Sequence, residues 1–338
     1  MERTVGKPFT DHGTLRRSRE TGIGLKTRRM LALVGPTASG KTALSLILAE
    51  TLRGEIVSAD SRQIYKYLDI GTAKPTKADR ARVPHHLVDF LEPSAEYSAG
   101  QYGQEARRVI EEIQSRGRLP ILVGGSGLYL KAVIDGLAEA PAAKKEIREE
   151  LEHECKLLGL AHLVEELRKV DPITLAAMKQ VNARRVIRAL EVQRTTGVPL
   201  SRIHKGQDRG QTLDVLQVGL SWKRSDLYMR INERVDRMLR EGLVEETRRF
   251  LTRGFGCHLN AFNTVGYKEV CDHLECLMTR DEMVEAIKRN TRRFAKRQTT
   301  WFKSDTRIHW IAVLPATPLE EIAAKVFRVI DEGGGASK

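Results

Sequence analysis

The sequence predicts an α/β fold, a P-loop core on a parallel sheet that is interrupted by a helical insertion domain. Three observations predict it. Short apolar runs alternate with helix-length amphipathic segments through the first 136 residues, and strands joined by crossover helices lie parallel with both faces covered. No strand pattern is evident from about Leu137 to Asp208. Strand character then returns at Leu213–Trp222 and Ile308–Val313. The expected organisation is a core of residues 30–136 and 209–332, with residues 137–208 as the insertion.

Met30–Val34 is the first apolar strand, and it runs into GPTASGKT, Gly35–Thr42. A helix is expected over Lys41–Leu52 and a second strand over Ile56–Ser58, ending at Asp60. A polar loop follows. Tyr102–Ser115 reads as an amphipathic helix, and Leu119–Val123 as a third strand leading into GGSGLY. In the insertion, residues 143–169 and 182–196 have helical periodicity. Long helices are expected near 225–252 and 281–302, then a strand at Ile308–Val313 and a last helix at Leu319–Ile330.

The chain carries 57 lysines and arginines against 44 aspartates and glutamates, a net charge of +13. That excess favours a polyanionic partner. With three Trp, seven Tyr and eight Phe, an aromatic base-stacking platform is not the obvious mode of nucleic-acid binding. Residues 1–29 hold eight basic and three acidic residues without apolar periodicity. They read as a disordered basic extension or an upstream-assigned start, since a second methionine, Met30, stands where the first strand begins. No apolar run reaches bilayer length, and no secretory core is present. A cytoplasmic monomer is therefore expected. Cys155, Cys257, Cys271 and Cys276 form neither a CxxC pair nor a zinc spacing, and read as free thiols.

Gly35-x-x-x-x-Gly40-Lys41-Thr42 is a complete GxxxxGK[ST] motif placed between a strand and a helix. Its glycines allow backbone N–H groups to surround an anion, and the helix N-terminus adds partial positive charge. Lys41 supplies a point charge for phosphates, and Thr42 a hydroxyl for Mg²⁺. The motif implies a phosphate ligand and does not distinguish ATP from a pyrophosphate ester. A small-metabolite kinase is the alternative reading. Asp60, at the C-terminal edge of the second strand, can accept a proton or bind a metal through water.

Together the segments GPTASGKT, DSRQIYKYLDIGTAKPT (Asp60–Thr76), PHHLVDF (Pro84–Phe90), GGSGLYLKA (Gly124–Ala132), NARRVIRALEV (Asn182–Val192), LYMRINERVDRML (Leu227–Leu239), NTVGYKEV (Asn263–Val270) and AKRQTTWF (Ala295–Phe302) resemble the tRNA dimethylallyltransferase family. Order and approximate spacing hold from Met30 to about Ile330. The resemblance implies transfer of a dimethylallyl group from dimethylallyl pyrophosphate to the exocyclic amine of the adenosine at tRNA position 37, with Mg²⁺. It implies Asp60 as general base, with Thr37 and Arg234 steadying the departing pyrophosphate. Gly35, Pro36, Thr37, Ala38, Ser39, Gly40, Lys41 and Thr42 then hold that pyrophosphate. The resemblance further implies that Asp60, Ser61, Arg62 and Gln63 lie against the flipped adenine and its neighbours, and that Ser126 and Arg148 contact tRNA. Ser126 stands where the family more often has threonine.

Helical spacing adds candidate phosphate contacts. Arg184 and Arg188 are four apart and Arg185 and Arg188 three apart, so they share a face. Arg292 with Lys296, and Arg293 with Arg297, repeat the four-residue spacing. Lys268, in NTVGYKEV, joins Lys296 and Arg297 as a candidate. His85 and His86 read as a packed loop without a catalytic role.

Overall fold

A computed structural model describes residues 30–137, 144–206 and 212–334. The basic extension 1–29 lies outside the described residues. The chain divides into two compact units, one formed by the segments up to Ile134 and from Leu213 onward, the other by Asp135–Thr212.

The first unit is built on a six-stranded, all-parallel sheet: β1 (Met30–Val34), β2 (Gly54–Ala59), β3 (His85–His86), β4 (Leu119–Gly124), β5 (Val215–Trp222) and β6 (Ile308–Val313), ordered β3-β2-β4-β1-β5-β6. Every residue of β1 and β2 is buried, as expected for central parallel strands covered on both faces. Alternate β1 side chains enter two cores. Met30, Ala32 and Val34 pack in one; Leu31 and Leu33 pack in the other.

Helices α1 (Lys41–Leu52) and α2 (Lys77–Arg82) follow the first two strands. Next come α3 (Ala99–Ser115) and α4 (Gly127–Ile134). Both α2 and α3 start on capping boxes, Thr76 with Asp79 and Ser98 with Gln101. Between α3 and α4 the Tyr102 and Tyr129 rings stack 4.0 Å apart, and the Tyr102 hydroxyl donates to the Ser58 carbonyl. The expected loop at His85–His86 instead contributes the edge strand, pairing with Ile56 and Val57. Two residues are too few to show alternation in a sequence.

In the second unit, α5 (Lys145–Leu158), α6 (Leu160–Val170), α7 (Pro172–Ala177), α8 (Ala183–Thr196) and α9 (Leu200–Gly206) surround Leu151, Leu163, Leu167, Val186 and Leu190. The single helix expected over 143–169 is two. Gly159 breaks it with φ 83°, a left-handed conformation that suits glycine. Arg194 ties the helices together by paired contacts to Glu154 and Glu166.

The remaining helices belong to the first unit: α10 (Arg224–Arg240), α11 (Leu243–Thr252), α12 (Tyr267–Leu274), α13 (Arg280–Lys303) and α14 (Leu319–Gly334). The run expected near 225–252 is likewise broken, at Gly242 with φ 98°. The reading of four free thiols is corrected: Cys257 and Cys271 form a disulfide, with Cα atoms 6.1 Å apart, while Cys155 and Cys276 are free. The fold carries Cys271 on α12 up to the loop after α11, a juxtaposition that a spacing of 14 residues does not signal. None of the described helices is long and apolar enough to cross a membrane.

Gly124, where β4 ends, touches β2 so closely that a Cβ would stand 2.1 Å from the Ala59 carbonyl oxygen. Backbone cannot yield as a side chain can. Gly124→Ala is expected to destabilise the fold by about 3 kcal/mol or more, the upper range for overpacking. Urea denaturation monitored by circular dichroism checks this.

Candidate active site

The C-terminal ends of β1, β2 and β4 bring three segments to one edge of the sheet: Gly35–Thr42, Asp60–Gln63 and Gly125–Gly127. Ligands of open α/β sheets bind outside this edge. No side chain caps the N-terminus of α1, whose N-cap Gly40 is left-handed with φ 97°. Its first N–H groups thus keep the partial positive charge of an uncapped helix end.

Several residues brace the glycine-rich loop. The Trp222 indole donates to the Ser39 carbonyl at 3.0 Å, and Arg230 to the Ala38 carbonyl at 3.0 Å while lying over the Trp222 ring. The Thr37 N–H donates to Gln298 Oε1 at 2.8 Å, and Gln298 Nε2 donates to the Gly125 carbonyl at 2.9 Å. Gln298, 7% exposed, therefore links the loop to the segment after β4. It lies in AKRQTTWF, and nothing in that segment signals its role, because its partners are remote in the chain. Because Gln298 takes the Thr37 N–H, that group is not among those left for an anion. The buried Ser39 hydroxyl has no partner among the described residues.

Lys41 folds back over the loop and donates to the Gly35 and Pro36 carbonyls at 2.9 and 2.7 Å. Burial pushes its pKa down to about 7; Asp60 opposes this and Arg234 adds to it. Burial likewise lowers the Arg234 pKa, with Asp60 again opposing. Lys41, Asp60 and Arg234 are thus electrostatic neighbours, although the start of α1, the turn after β2 and α10 supply them separately. Arg234 makes no hydrogen bond or ion pair among the described residues.

Asp60 opens a tight turn. Its Oδ1 accepts the Arg62 N–H at 2.9 Å and, more weakly, the Gln63 N–H at 3.4 Å. No hydrogen bond from a described residue reaches Oδ2. Ser61 and Ser126 are joined, the Ser61 N–H donating to Ser126 Oγ at 3.0 Å and Ser126 Oγ to Ser61 Oγ at 3.2 Å. Arg62 donates to the Asn260 carbonyl, and the Gln63 amide to the Thr72 and Ala73 carbonyls. The Gln63 and Ser126 side chains therefore have internal partners that sequence alone did not reveal.

No cluster of three His, Cys, Asp or Glu side chains suited to a metal exists among the described residues. Thr42, exposed at the start of α1, fits a Mg²⁺ that takes most of its ligands from phosphate oxygens and water.

The basic candidates separate by unit. Lys268 and Arg297 line a cavity of about 150 Å³ with Asn263, Thr264, Glu269 and Asn290. Lys296 is exposed on α13, whereas Arg292 is tied to Asn232 at 2.7 Å. In the second unit Arg184 is exposed, Arg185 donates to the Gln180 carbonyl, Arg148 pairs with Glu152, and Arg188 pairs with the buried Glu191.

The family model described as IPP transferase matches residues 63–305. The tRNA dimethylallyltransferase of Geobacter sulfurreducens is 48% identical over 309 residues, which span 90% of this chain and 98% of that protein. The crystal structure of the full-length tRNA isopentenylpyrophosphate transferase of Bacillus halodurans is 40% identical, with a TM-score of 0.66 over 90% of this chain and 98% of its own. A eukaryotic dimethylallyltransferase described as acting on tRNA superposes with a TM-score of 0.74 at 26% identity, over 89% of this chain and 77% of its own. The family model spans more than half of the chain and these relatives about nine-tenths of it, and on that ground the chain belongs to the tRNA dimethylallyltransferase family of IPP transferases.

Proposed function

We propose that the protein transfers a dimethylallyl group from dimethylallyl pyrophosphate to the exocyclic amine of adenosine 37, beside the tRNA anticodon. The observation that carries this reading is the Asp60 carboxylate, anchored through one oxygen and open at the other, next to two cations whose charge burial opposes.

An exocyclic adenine amine is a weak nucleophile because its lone pair is delocalised into the ring. In the proposed step the amine nitrogen forms a bond to the allylic carbon and loses a proton to Asp60 Oδ2. The allylic C–O bond breaks, and its electron pair stays on the departing pyrophosphate. Lys41, Arg234 and the uncapped N–H groups of α1 take up that charge, and Thr37 offers a hydroxyl beside them. Mg²⁺, held at Thr42, would neutralise phosphate charge. The target base leaves the anticodon stack to reach the site, which costs a few kcal/mol, least in a loop. Contacts to tRNA phosphates are assigned to Lys268, Lys296 and Arg297 in the first unit and, separately, to Arg148, Arg184, Arg185 and Arg188 in the second. The net charge of +13 supports action on a polyanion, and the compartment we assign to it is the cytoplasm.

The direct test combines purified protein, unmodified tRNA and dimethylallyl pyrophosphate, followed by mass spectrometry of the nucleosides. Gain of one C5H8 unit on the adenosine 3′ of the anticodon is expected. ADP release from added ATP, without that gain, would favour a kinase instead.

Lys41 also makes a pH prediction. With a pKa near 7 the amine is largely neutral at pH 8, whereas a bound pyrophosphate favours the charged form. Binding above pH 7 should therefore take up a proton, and affinity should fall by up to about tenfold per pH unit there. Calorimetry in buffers of different ionisation enthalpy checks the uptake. The folding linkage has its own sign: the unfolded chain holds this proton up to about 10.5 and the folded chain only to about 7. This group therefore makes the folded chain more stable as pH rises through that window.

A further inference from the structure

The segment that holds the Gln63 amide rests in turn on a buried carboxylate remote in sequence. Glu246, on α11, is 6% exposed. Its Oε2 accepts the N–H groups of Asp69 and Ile70 at 3.2 and 3.0 Å, and its Oε1 those of Ile70 and Gly71 at 3.0 and 3.4 Å. The hydroxyl of Tyr267, fully buried on α12, donates to Glu246 Oε1 and accepts the Gly71 N–H at 3.1 Å. Burial first, and then the Glu246 charge, hold the Tyr267 phenol well above its ordinary pKa, so it stays a donor. Successive backbone N–H groups converging on one anion form a nest; here a side chain of the protein fills it.

What the nest fixes lies directly downstream. The Thr72 and Ala73 carbonyls, one and two residues beyond Gly71, accept the two hydrogen bonds from Gln63 Nε2 at 3.2 and 3.1 Å. On its other side the Gln63 amide oxygen accepts from Ser58 on β2. With its side chain fixed at both ends, the Gln63 N–H is presented to Asp60 Oδ1 beside the stronger donor, Arg62 N–H. Gly71 also needs its lack of a side chain, because a Cβ would lie 2.4 Å from the Tyr267 ring.

We infer that Glu246, supported by Tyr267, is a positioning residue for the proton-accepting carboxylate, acting through residues 69–73 and the Gln63 amide on the turn that orients Asp60. This rests on Asp60 being the base, as proposed above. Without the carboxylate, the Asp69 and Ile70 N–H groups lose this acceptor and the Gly71 N–H keeps only the Tyr267 hydroxyl. The carbonyls that grip Gln63 then shift with them. A carboxylate misplaced by even a fraction of an ångström transfers protons less well, while the pyrophosphate site on the glycine-rich loop has separate supports.

The test compares Glu246→Ala, Glu246→Gln, Gln63→Ala, the Glu246→Ala/Gln63→Ala double variant and Asp60→Asn in the full chain. Readouts are single-turnover rate at saturating tRNA and allylic pyrophosphate, KM for each substrate, and thermal stability. Glu246→Ala should slow the saturated step by about tenfold or more, with KM for dimethylallyl pyrophosphate within about twofold of wild type. Glu246→Gln, which keeps one acceptor oxygen, should recover part of the loss. A contribution to stability alone predicts neither this split nor that recovery. Because both residues act along one route, the double variant should be hardly slower than the slower single variant. If Glu246→Ala does not fold, Tyr267→Phe takes its place in the same cycle, with the same expectation of non-additivity. Losses that multiply in the double variant, or a wild-type rate in both Glu246→Ala and Tyr267→Phe, overturn the inference. A wild-type rate in Asp60→Asn instead overturns the assignment of the base, on which the inference depends.

Discussion

Asp60→Asn is expected to lower the single-turnover rate of prenyl transfer by about 10²–10⁴-fold, the range over which a positioned general base acts. The substitution isolates the chemistry. An asparagine Oδ1 can still accept the Arg62 and Gln63 N–H groups that hold the turn, so the backbone around it keeps its reason to stay in place. What is lost is the open oxygen: an amide NH₂ stands where Oδ2 would receive the proton. tRNA affinity should change little, since a single uncharged replacement removes no cation from the protein. Rapid-quench kinetics with filter-binding titration of tRNA measure both quantities. A single-turnover rate close to wild type would remove Asp60 as the base.

Arg234→Ala should reduce kcat/KM for dimethylallyl pyrophosphate by about 10²–10³-fold, comparable to deleting one donor from an oxyanion site. The same variant should unfold at an equal or higher temperature than wild type. These opposite signs have one cause. Burial disfavours the guanidinium charge more than the nearby Asp60 favours it, and among the described residues it has no hydrogen-bonding partner to make up the difference. Removing it relieves an unfavourable electrostatic arrangement while depriving the departing pyrophosphate of a cation. Lys41 is a poorer probe of this kind, because its ammonium also holds the Gly35 and Pro36 carbonyls, so its loss confounds loop structure with charge. A lower melting temperature for Arg234→Ala, with unchanged kcat/KM, would identify a structural cation instead.

Legibility in the sequence followed the range of the interaction. The β1–loop–α1 unit is a local object, written in one apolar run, two glycines and a Lys-Thr pair, and the central strands announce themselves because both faces are covered. The edge strand at His85–His86 has no such signature; its existence depends on the β2 edge beside it. Gly159 and Gly242 stood within helical periodicity, and their left-handed φ values became visible only with the backbone. At the site, Lys41 and Asp60 could be found from motif and strand end. Gln298 could not, because it meets Thr37 across 261 residues of chain, and Glu246 meets Gly71 across 175. Arg188 shows the converse. Its partner Glu191 lies three residues away, within the range a helical reading covers, yet counting only the basic face left the pair unseen.

The strand order also constrains how the chain is made. β1 sits between β4 and β5, so when residue 124 leaves the ribosome one flank of β1 can already be paired while the other has no partner. That flank is apolar on both faces, and it waits for Val215 to emerge. The intervening Asp135–Thr212 is a compact unit of its own, able to gather its core from contiguous sequence during the delay. Synthesis at about 5–20 residues per second would make the interval several seconds. An unpaired apolar strand exposed for so long invites pairing with a neighbouring nascent chain on the same message. The yield of active protein should therefore depend on translation speed and chaperone supply more than its final stability suggests.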